Sequence, residues 1–300
     1  MKENVLVREA GVRTSSAFID YLELTKPRIT TLVVLTAVVG FFMGSGATFP
    51  AAALLQTILG TALVAAGAGV LNQVAERDQD ARMVRTARRA IPAGRVSPRQ
   101  GLVFGWVLSL GGVGLFIAFL NLTTAALAAA TLVSYVFVYT PLKRRTSLNT
   151  LVGAVPGALP PVGGWAAASG HLPSEAWTLF LIVFLWQIPH FLAIAWLLRE
   201  DYARGGFRML TVDDPSGTVT GRHIALTALA LVPVSLCPTL LGLSGVVYFS
   251  GALALSGAYA AISVWAASRM TAARARLLFL ASVVYLPAIL AVMLADRLPA

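Results

Sequence analysis

Long apolar runs separated by short polar interruptions dominate this chain. A helix needs about 20 apolar residues to cross the hydrocarbon core of a bilayer. Runs of that kind fall near 28–47, 51–72, 101–120, 122–140, 148–169, 175–198, 222–242, 246–267 and 274–295. The pattern predicts an all-α membrane protein with nine transmembrane helices in a single domain over 1–300, preceded by an N-terminal segment over 1–25. The fifth run contains Val155-Pro156-Gly157-Ala158-Leu159-Pro160-Pro161. Prolines remove backbone hydrogen bonds, so a kink or local break is expected there, shielded by protein or by a cavity.

Composition agrees and excludes the soluble classes. Residues are 57% hydrophobic and 12% charged, against about 25% charged in soluble domains. The single cysteine, Cys237, excludes a disulfide framework and any cysteine-based metal site. Residues 1–25 hold no continuous apolar stretch and do not resemble a cleaved signal peptide. The net charge of +10 does not indicate nucleic-acid binding, because the basic residues punctuate the apolar runs.

Their positions give the topology. Of the 23 basic residues, all but Arg297 lie before the second helix or in loops 2–3, 4–5, 6–7 and 8–9. The remaining loops are short and carry none. The positive-inside rule then places the N-terminus and the even-numbered gaps in the cytoplasm. The chain is expected in a bacterial inner membrane, with its longer, chemically equipped loops on the cytoplasmic side.

Loop 2–3 begins with Asn72, Glu76 and Asp80 at i, i+4 and i+8. If the second helix continues, they form one oxygen-bearing stripe at the membrane surface. Such a stripe suits Mg²⁺, which takes its remaining ligands from water and phosphate. Asp78 points to another side. Arg82, Arg85, Arg88 and Arg89 follow, and guanidinium forks match phosphate oxygens. The same residues are equally compatible with carboxylates paired to arginines in a solvated loop. Glu200, Asp201 and Tyr202 form a second acidic cluster at the end of the sixth helix, and two clusters on one face suggest a clamp on a diphosphate. Asp213 and Asp214 precede Pro215, Ser216 and Gly217 and read as turn formers. Lys143, Arg144 and Arg145, with Tyr139 upstream, are either a topological anchor or a phosphate contact, Lys143 being the better candidate. Lys26 and Arg28, flanking Pro27, carry the same two readings. Trp186, Gln187 and His190 lie inside the sixth helix, where polar groups face the bundle interior. His190 is expected about 14 Å inside the cytoplasmic helix end, either as a hydrogen-bonded core residue or as a contact to an intramembrane substrate.

Taken together, these residues resemble the intramembrane prenyltransferase superfamily, most closely its heme-farnesylating branch. The resemblance runs from Tyr21 to the last helix. It rests on Leu24-Thr25-Lys26-Pro27-Arg28-Ile29, on Asn72 through Asp80, on Met83-Val84-Arg85-Thr86 and on Pro92-Ala93-Gly94-Arg95. It continues with Tyr139-Thr140, Lys143-Arg144, Gly153-Ala154, Pro156-Gly157, Trp186-Gln187-Ile188-Pro189-His190 and Asp201-Tyr202. Arg89-Ala90-Ile91-Pro92 and Met209-Leu210-Thr211 each lack a proline usual in the branch, and Glu76 stands where bacterial members usually carry aspartate. The resemblance implies a nine-helix bundle around a central, lipid-open cavity. It implies transfer of farnesyl from farnesyl diphosphate to a vinyl group of heme B, which is a substrate and not a cofactor. Asn72, Glu76, Asp80 and Asp201 are then the expected Mg²⁺ ligands and Lys143 a catalytic cation. Arg85, Arg89, Lys26, Arg28, Tyr139, Tyr202, Trp186, Gln187 and His190 are expected to bind substrates. Beyond both substrates and the bilayer, the expected partner is a downstream heme-modifying enzyme or terminal oxidase assembly factor. A different aromatic or tetrapyrrole acceptor is the alternative within the family, and a secondary transporter the alternative outside it.

Overall fold

The computed structural model of the chain describes residues 16–46 and 50–298. Lys2, Arg8, Arg13 and most of the 1–25 segment lie outside these residues. The described helices are α1 Ala17–Leu24, α2 Pro27–Gly44, α3 Ala51–Ala75, α4 Arg77–Asp80, α5 Pro98–Phe119, α6 Leu122–Val133, α7 Thr140–Leu142, α8 Asn149–Ser169, α9 Ala176–Leu197, α10 Arg199–Gly205, α11 Leu210–Asp213, α12 Thr218–Leu240, α13 Val246–Ala267 and α14 Ala272–Ala295. A π-helical stretch, Ser134–Tyr139, joins α6 to α7. Among the described residues, nine segments are long and apolar enough to cross a membrane: α2, α3, α5, the α6–α7 unit, α8, α9, α12, α13 and α14. Extended pairing there is limited to an isolated bridge between Ser244 and Arg297.

Capping moves some ends from their expected places. The third span starts at Pro98, three residues early, because Ser97 and Gln100 form a reciprocal capping box that satisfies orphan donors of the first turn. The seventh starts at Thr218, where the Asp214 carboxylate accepts the Thr220 N–H at 2.7 Å. The N-terminal segment, expected to be featureless, contributes α1. Its Asp20 and Leu24 are buried while Phe18, Ile19 and Leu22 are exposed, a short-range amphipathic pattern that a search for continuous apolar runs passes over.

The fifth span is not broken. α8 runs from Asn149 to Ser169 with Pro156, Pro160 and Pro161 inside it. Each proline costs one intrahelical bond, and neighbouring helices hold the rest in place. The packing is close: a Cβ at Gly40 of α2 would overlap the Pro161 carbonyl, and a Cβ at Gly164 would overlap the Ala37 carbonyl. Small residues let these backbones approach, the usual basis of helix association in lipid.

The polar connections meet on one face. Arg95 of loop 2–3 pairs with Asp20 of α1 at 2.9 Å, and Gln73 Nε2 donates to the Leu24 carbonyl at 2.8 Å. The Val84 N–H donates to Asp201 at 2.8 Å, tying loop 2–3 to α10, and the Arg208 N–H donates to the Lys143 carbonyl at 2.7 Å. Met83, Ala195, Phe207 and Met209 pack as a small apolar cluster beneath these bonds. At the opposite end, the Arg297 guanidinium binds the Ser45 carbonyl, and Asp296 accepts the Tyr248 N–H at 2.6 Å.

Candidate active site

The site is assembled on the basic face from α3, the π-helical turn and the segment before α2. The helical hydrogen-bond ladder continues across the α3–α4 junction: the Glu76 N–H donates to Asn72 O at 2.9 Å and the Asp80 N–H to Glu76 O at 2.8 Å. Asn72, Glu76 and Asp80 therefore share a stripe, as their spacing predicts, and all three are buried. Asp78 turns outward and meets Arg77 at 3.5 Å.

Each stripe residue faces a cation. Lys26 Nζ donates to Asn72 Oδ1 at 3.2 Å. Asn72 Nδ2 donates to Thr140 Oγ1 at 3.0 Å, and this network assigns the amide orientation. Lys143 Nζ lies 2.8 Å from Glu76 Oε1. That approach is off the hydrogen-bond direction, and the buried Oε1 accepts no hydrogen bond. Arg89 donates to Asp80 Oδ2 at 2.8 Å. Burial disfavours charge on Lys143, but neighbouring Tyr139 and Glu76 outweigh it and hold the ammonium above the usual lysine range. For Lys26, burial combines with positive Arg89 and Lys143 to pull it down to about 7, against Glu76 and Asp80.

Local geometry holds these cations. Lys26 has φ 50°, the only non-glycine positive φ among the described residues, and such strain persists only where the surroundings over-determine it. Here the Gln73–Leu24 bond and the Arg95–Asp20 pair fix α1 just before it. Lys143 sits over the Tyr139 ring at 4.6 Å and nearer the edge of reach of Phe207 at 5.8 Å. Tyr139 lies 5.4 Å from Tyr135, ring centroid to centroid.

Asp201 is gathered differently. Its oxygens accept the Val84 N–H at 2.8 Å, the Arg85 N–H at 3.4 Å and Arg204 at 2.9 Å. Burial pushes its carboxyl up, but these hydrogen bonds outweigh it and hold the group below the usual aspartate range. Asp201 grips the turn after Asp80 from its other side, where Arg85, Arg199, Arg204 and Trp196 line a cleft of about 740 Å³. Arg85 therefore opens to this cleft. Arg28, Arg82 and Arg88 are exposed. Tyr202 packs on Phe207 at 6.0 Å.

Gln187 is buried against α8, donating to Val183 O at 3.1 Å. His190 lies seven residues before the end of α9, about 10 Å deep, which is shallower than expected because the helix stops at Leu197. Its ring stacks on Trp186 at 4.9 Å, and its Nδ1 lies 2.7 Å from Ser282 Oγ.

The oxygen donors fit a hard divalent ion. Among the described residues, no three histidine, cysteine or acidic side chains close into a cage. Asn72, Glu76 and Asp80 instead offer one amide and two carboxylates along an open stripe, including the unbonded Glu76 Oε1, a set that leaves positions for water and phosphate. Sequence reasoning missed Tyr135, Thr140, Phe207 and Ser282. Tyr135, Tyr139 and Lys143 repeat the i, i+4, i+8 spacing of the acidic stripe, a signal that would have found the first.

Known proteins carry the same sequence and fold. The model of the UbiA prenyltransferase family matches residues 33–283. The protoheme IX farnesyltransferase of Solibacter usitatus (strain Ellin6076) is 48% identical over 292 residues, covering 93% of this chain and 98% of that protein. That of Salinibacter ruber (strain DSM 13855 / M31) is 46% identical over 277 residues, covering 92% and 98%. Among solved structures, one from work on the biosynthesis of digeranylgeranylglyceryl phosphate synthase in membranes superposes with a TM-score of 0.79 at 15% identity, covering 93% of this chain and 98% of that one. A UbiA homolog from Archaeoglobus fulgidus bound to GPP and Mg²⁺ superposes with a TM-score of 0.63 at 16% identity, covering 91% and 99%. The nine-span bundle is thus the fold of these membrane proteins, and the chain belongs to the UbiA prenyltransferase family, within its protoheme IX farnesyltransferase branch.

Proposed function

We propose that this prenyltransferase moves the farnesyl group of farnesyl diphosphate onto a vinyl carbon of heme B, giving heme O and diphosphate, at a site formed by one integral-membrane domain. The observation that carries the reading is the buried stripe of Asn72, Glu76 and Asp80, each faced by a cation, at one end of an apolar bundle. These ion pairs suit exchange: an arriving magnesium diphosphate gives the carboxylates a metal and the cations phosphate oxygens. Mg²⁺ would be held by Asn72, Glu76 and Asp80, with Asp201 the fourth candidate through Oδ2, and would neutralise the diphosphate charge. Lys143, Arg89 and Lys26 bind the same oxygens, and Arg85 reaches from the adjoining cleft. Arg28 and Tyr202 line the approach.

In the reaction the farnesyl C1–O bond breaks and its electron pair leaves with the diphosphate. The vinyl carbon attacks the allylic cation. Water adds to the resulting cation and loses a proton. The Tyr139 and Tyr135 rings beneath Lys143 offer π-faces to the allylic charge. Gln187, Trp186 and His190 bind the porphyrin below the surface. Electrostatic preorganisation and exclusion of bulk water do most of the work. We assign the basic face to the cytoplasm of a bacterial inner membrane, with heme O passed on to a heme-modifying enzyme or oxidase assembly factor.

None of the 13 acidic residues lies within a span, which favours an enzyme over a transporter with midplane coupling charges. The test is purified protein in nanodiscs with farnesyl diphosphate, heme B and Mg²⁺, read by mass spectrometry of the hemes. Wild type yields heme O, chelation abolishes it, and Asp80→Ala abolishes it while remaining folded. Wild-type activity in Asp80→Ala sinks the metal-clamp mechanism. Untouched heme B with a prenylated aromatic acid sinks the acceptor assignment.

A further inference from the structure

Ser282 of α14 is fully buried, and its hydroxyl has two neighbours. Its Oγ lies 2.5 Å from the Phe279 carbonyl oxygen and 2.7 Å from His190 Nδ1. A hydroxyl carries one hydrogen. Two oxygens at 2.5 Å need that hydrogen between them, since they would otherwise repel. Ser282 therefore donates to Phe279 and accepts from His190, so Nδ1 carries the imidazole proton and Nε2 the free lone pair. The tautomer follows from the bonding network.

The ring is also held in place. Trp186 stacks on it, with an interplanar angle of 23°, and Trp186 is itself anchored by Nε1–H donating to the Ser282 carbonyl at 2.8 Å. Phe279 covers it from α14, with centroids 5.3 Å apart. A core histidine of purely structural role satisfies both nitrogens. Here Nδ1 is satisfied, while Nε2 has no hydrogen-bond partner among the described residues and is not among their enclosed unpaired atoms.

We infer that Ser282 is a positioning residue that fixes the His190 tautomer, so that Nε2 can ligate the iron of the heme acceptor. The inference rests on heme B being that acceptor. Imidazole donating its other N–H to a fixed partner is the usual arrangement of a metal-binding histidine. One axial bond would set the height and tilt of the porphyrin about 10 Å below the acidic stripe. Its vinyl edge is then presented to the farnesyl C1, and the orientation is settled before the C–O bond breaks.

The test uses full-length protein in nanodiscs titrated with heme B, ferric and ferrous, and with metal-free protoporphyrin IX. Wild type is compared with His190→Ala, Ser282→Ala and Ser282→Thr. Wild type should show the iron–histidine stretching band of ferrous heme by resonance Raman, and His190→Ala should lose it. Ser282→Ala should weaken heme affinity about fivefold to tenfold, the worth of one hydrogen bond, and shift that band. Ser282→Thr should restore both. Metal-free protoporphyrin should bind all four proteins alike, reporting an intact pocket. An unchanged iron–histidine band in His190→Ala overturns the inference. So does a Ser282→Ala protein indistinguishable from wild type, or one that loses metal-free protoporphyrin as strongly as heme. Wild type that ligates heme through His190 without farnesylating it overturns the proposed function and leaves this assignment standing. Farnesylation without histidine ligation does the reverse.

Discussion

Lys143 stands where loops 2–3, 4–5 and 6–7 meet: its ammonium faces Glu76 and its carbonyl receives the Arg208 N–H. Replacing it with methionine leaves Glu76 buried without its counter-charge, a defect of several kcal/mol in comparable buried pairs. The expected result is loss of farnesyl transfer by at least about a hundredfold together with a lower unfolding temperature in detergent. Conversely, Asp214 is a purely structural acid. Burial raises its pKa, but the Thr220 N–H and the Ser216 hydroxyl stabilise the carboxylate more, and the net shift is downward. Its stabilisation is complete above the unfolded carboxyl value of about 3.9 and disappears as pH falls through the lower folded value. Asp214→Asn should cost about 1 kcal/mol at pH 7, with unfolding curves that converge with wild type on acidification below about pH 4 and activity kept. At this scale the sequence displayed spacing, so the Asn72–Glu76–Asp80 stripe was legible. It did not display partners distant in the chain: Asp20 with Arg95, Asn72 with Thr140, and His190 with Ser282 are unrelated until the helices pack.

Helices α2 and α8 press against each other through glycines, and α1 clasps loop 2–3. Gly164→Ala forces a methyl group into the Ala37 carbonyl. We expect a loss of about 1–3 kcal/mol, visible as reduced thermal stability of the purified protein. Releasing α1 by Arg95→Ala removes the pair that holds Lys26 in its left-handed conformation. The expected outcome is a severalfold higher KM for farnesyl diphosphate with a smaller change in kcat, measured in steady state. The spans themselves were legible because about 20 apolar residues admit few other fates. The unbroken α8 was not, because prolines in lipid are tolerated according to what packs around them, and Gly40 lies far away in sequence. α1 escaped notice because its signal is eight residues of amphipathic periodicity.

The molecule as a whole is two-faced. Basic loops interlock at one end, and a small clasp of Arg297, Ser45, Asp296 and Tyr248 closes the other. Single cysteines at Arg145 and Gly242, in a Cys237→Ser background, should report opposite sides to a membrane-impermeant thiol reagent in intact cells, with position 242 labelled and position 145 protected. Equal labelling of both would overturn the orientation. Between the faces, the fourth span changes phase. Up to Leu132 and Val136 it presents side chains to the cluster containing Val64 and Phe116, and after the π-helical stretch it presents Tyr139 and Lys143 to the stripe. A π turn accommodates one extra residue, so its length acts as an angular setting. Deleting Val138 would let the helix relax to ordinary α geometry, perhaps the commonest kind of harmless edit in a helix, yet here it would rotate everything downstream by about 100°. The protein would stay folded in the membrane, while Lys143 faced away from Glu76 and catalysis stopped: a single missing residue read by the site as a quarter turn of a key.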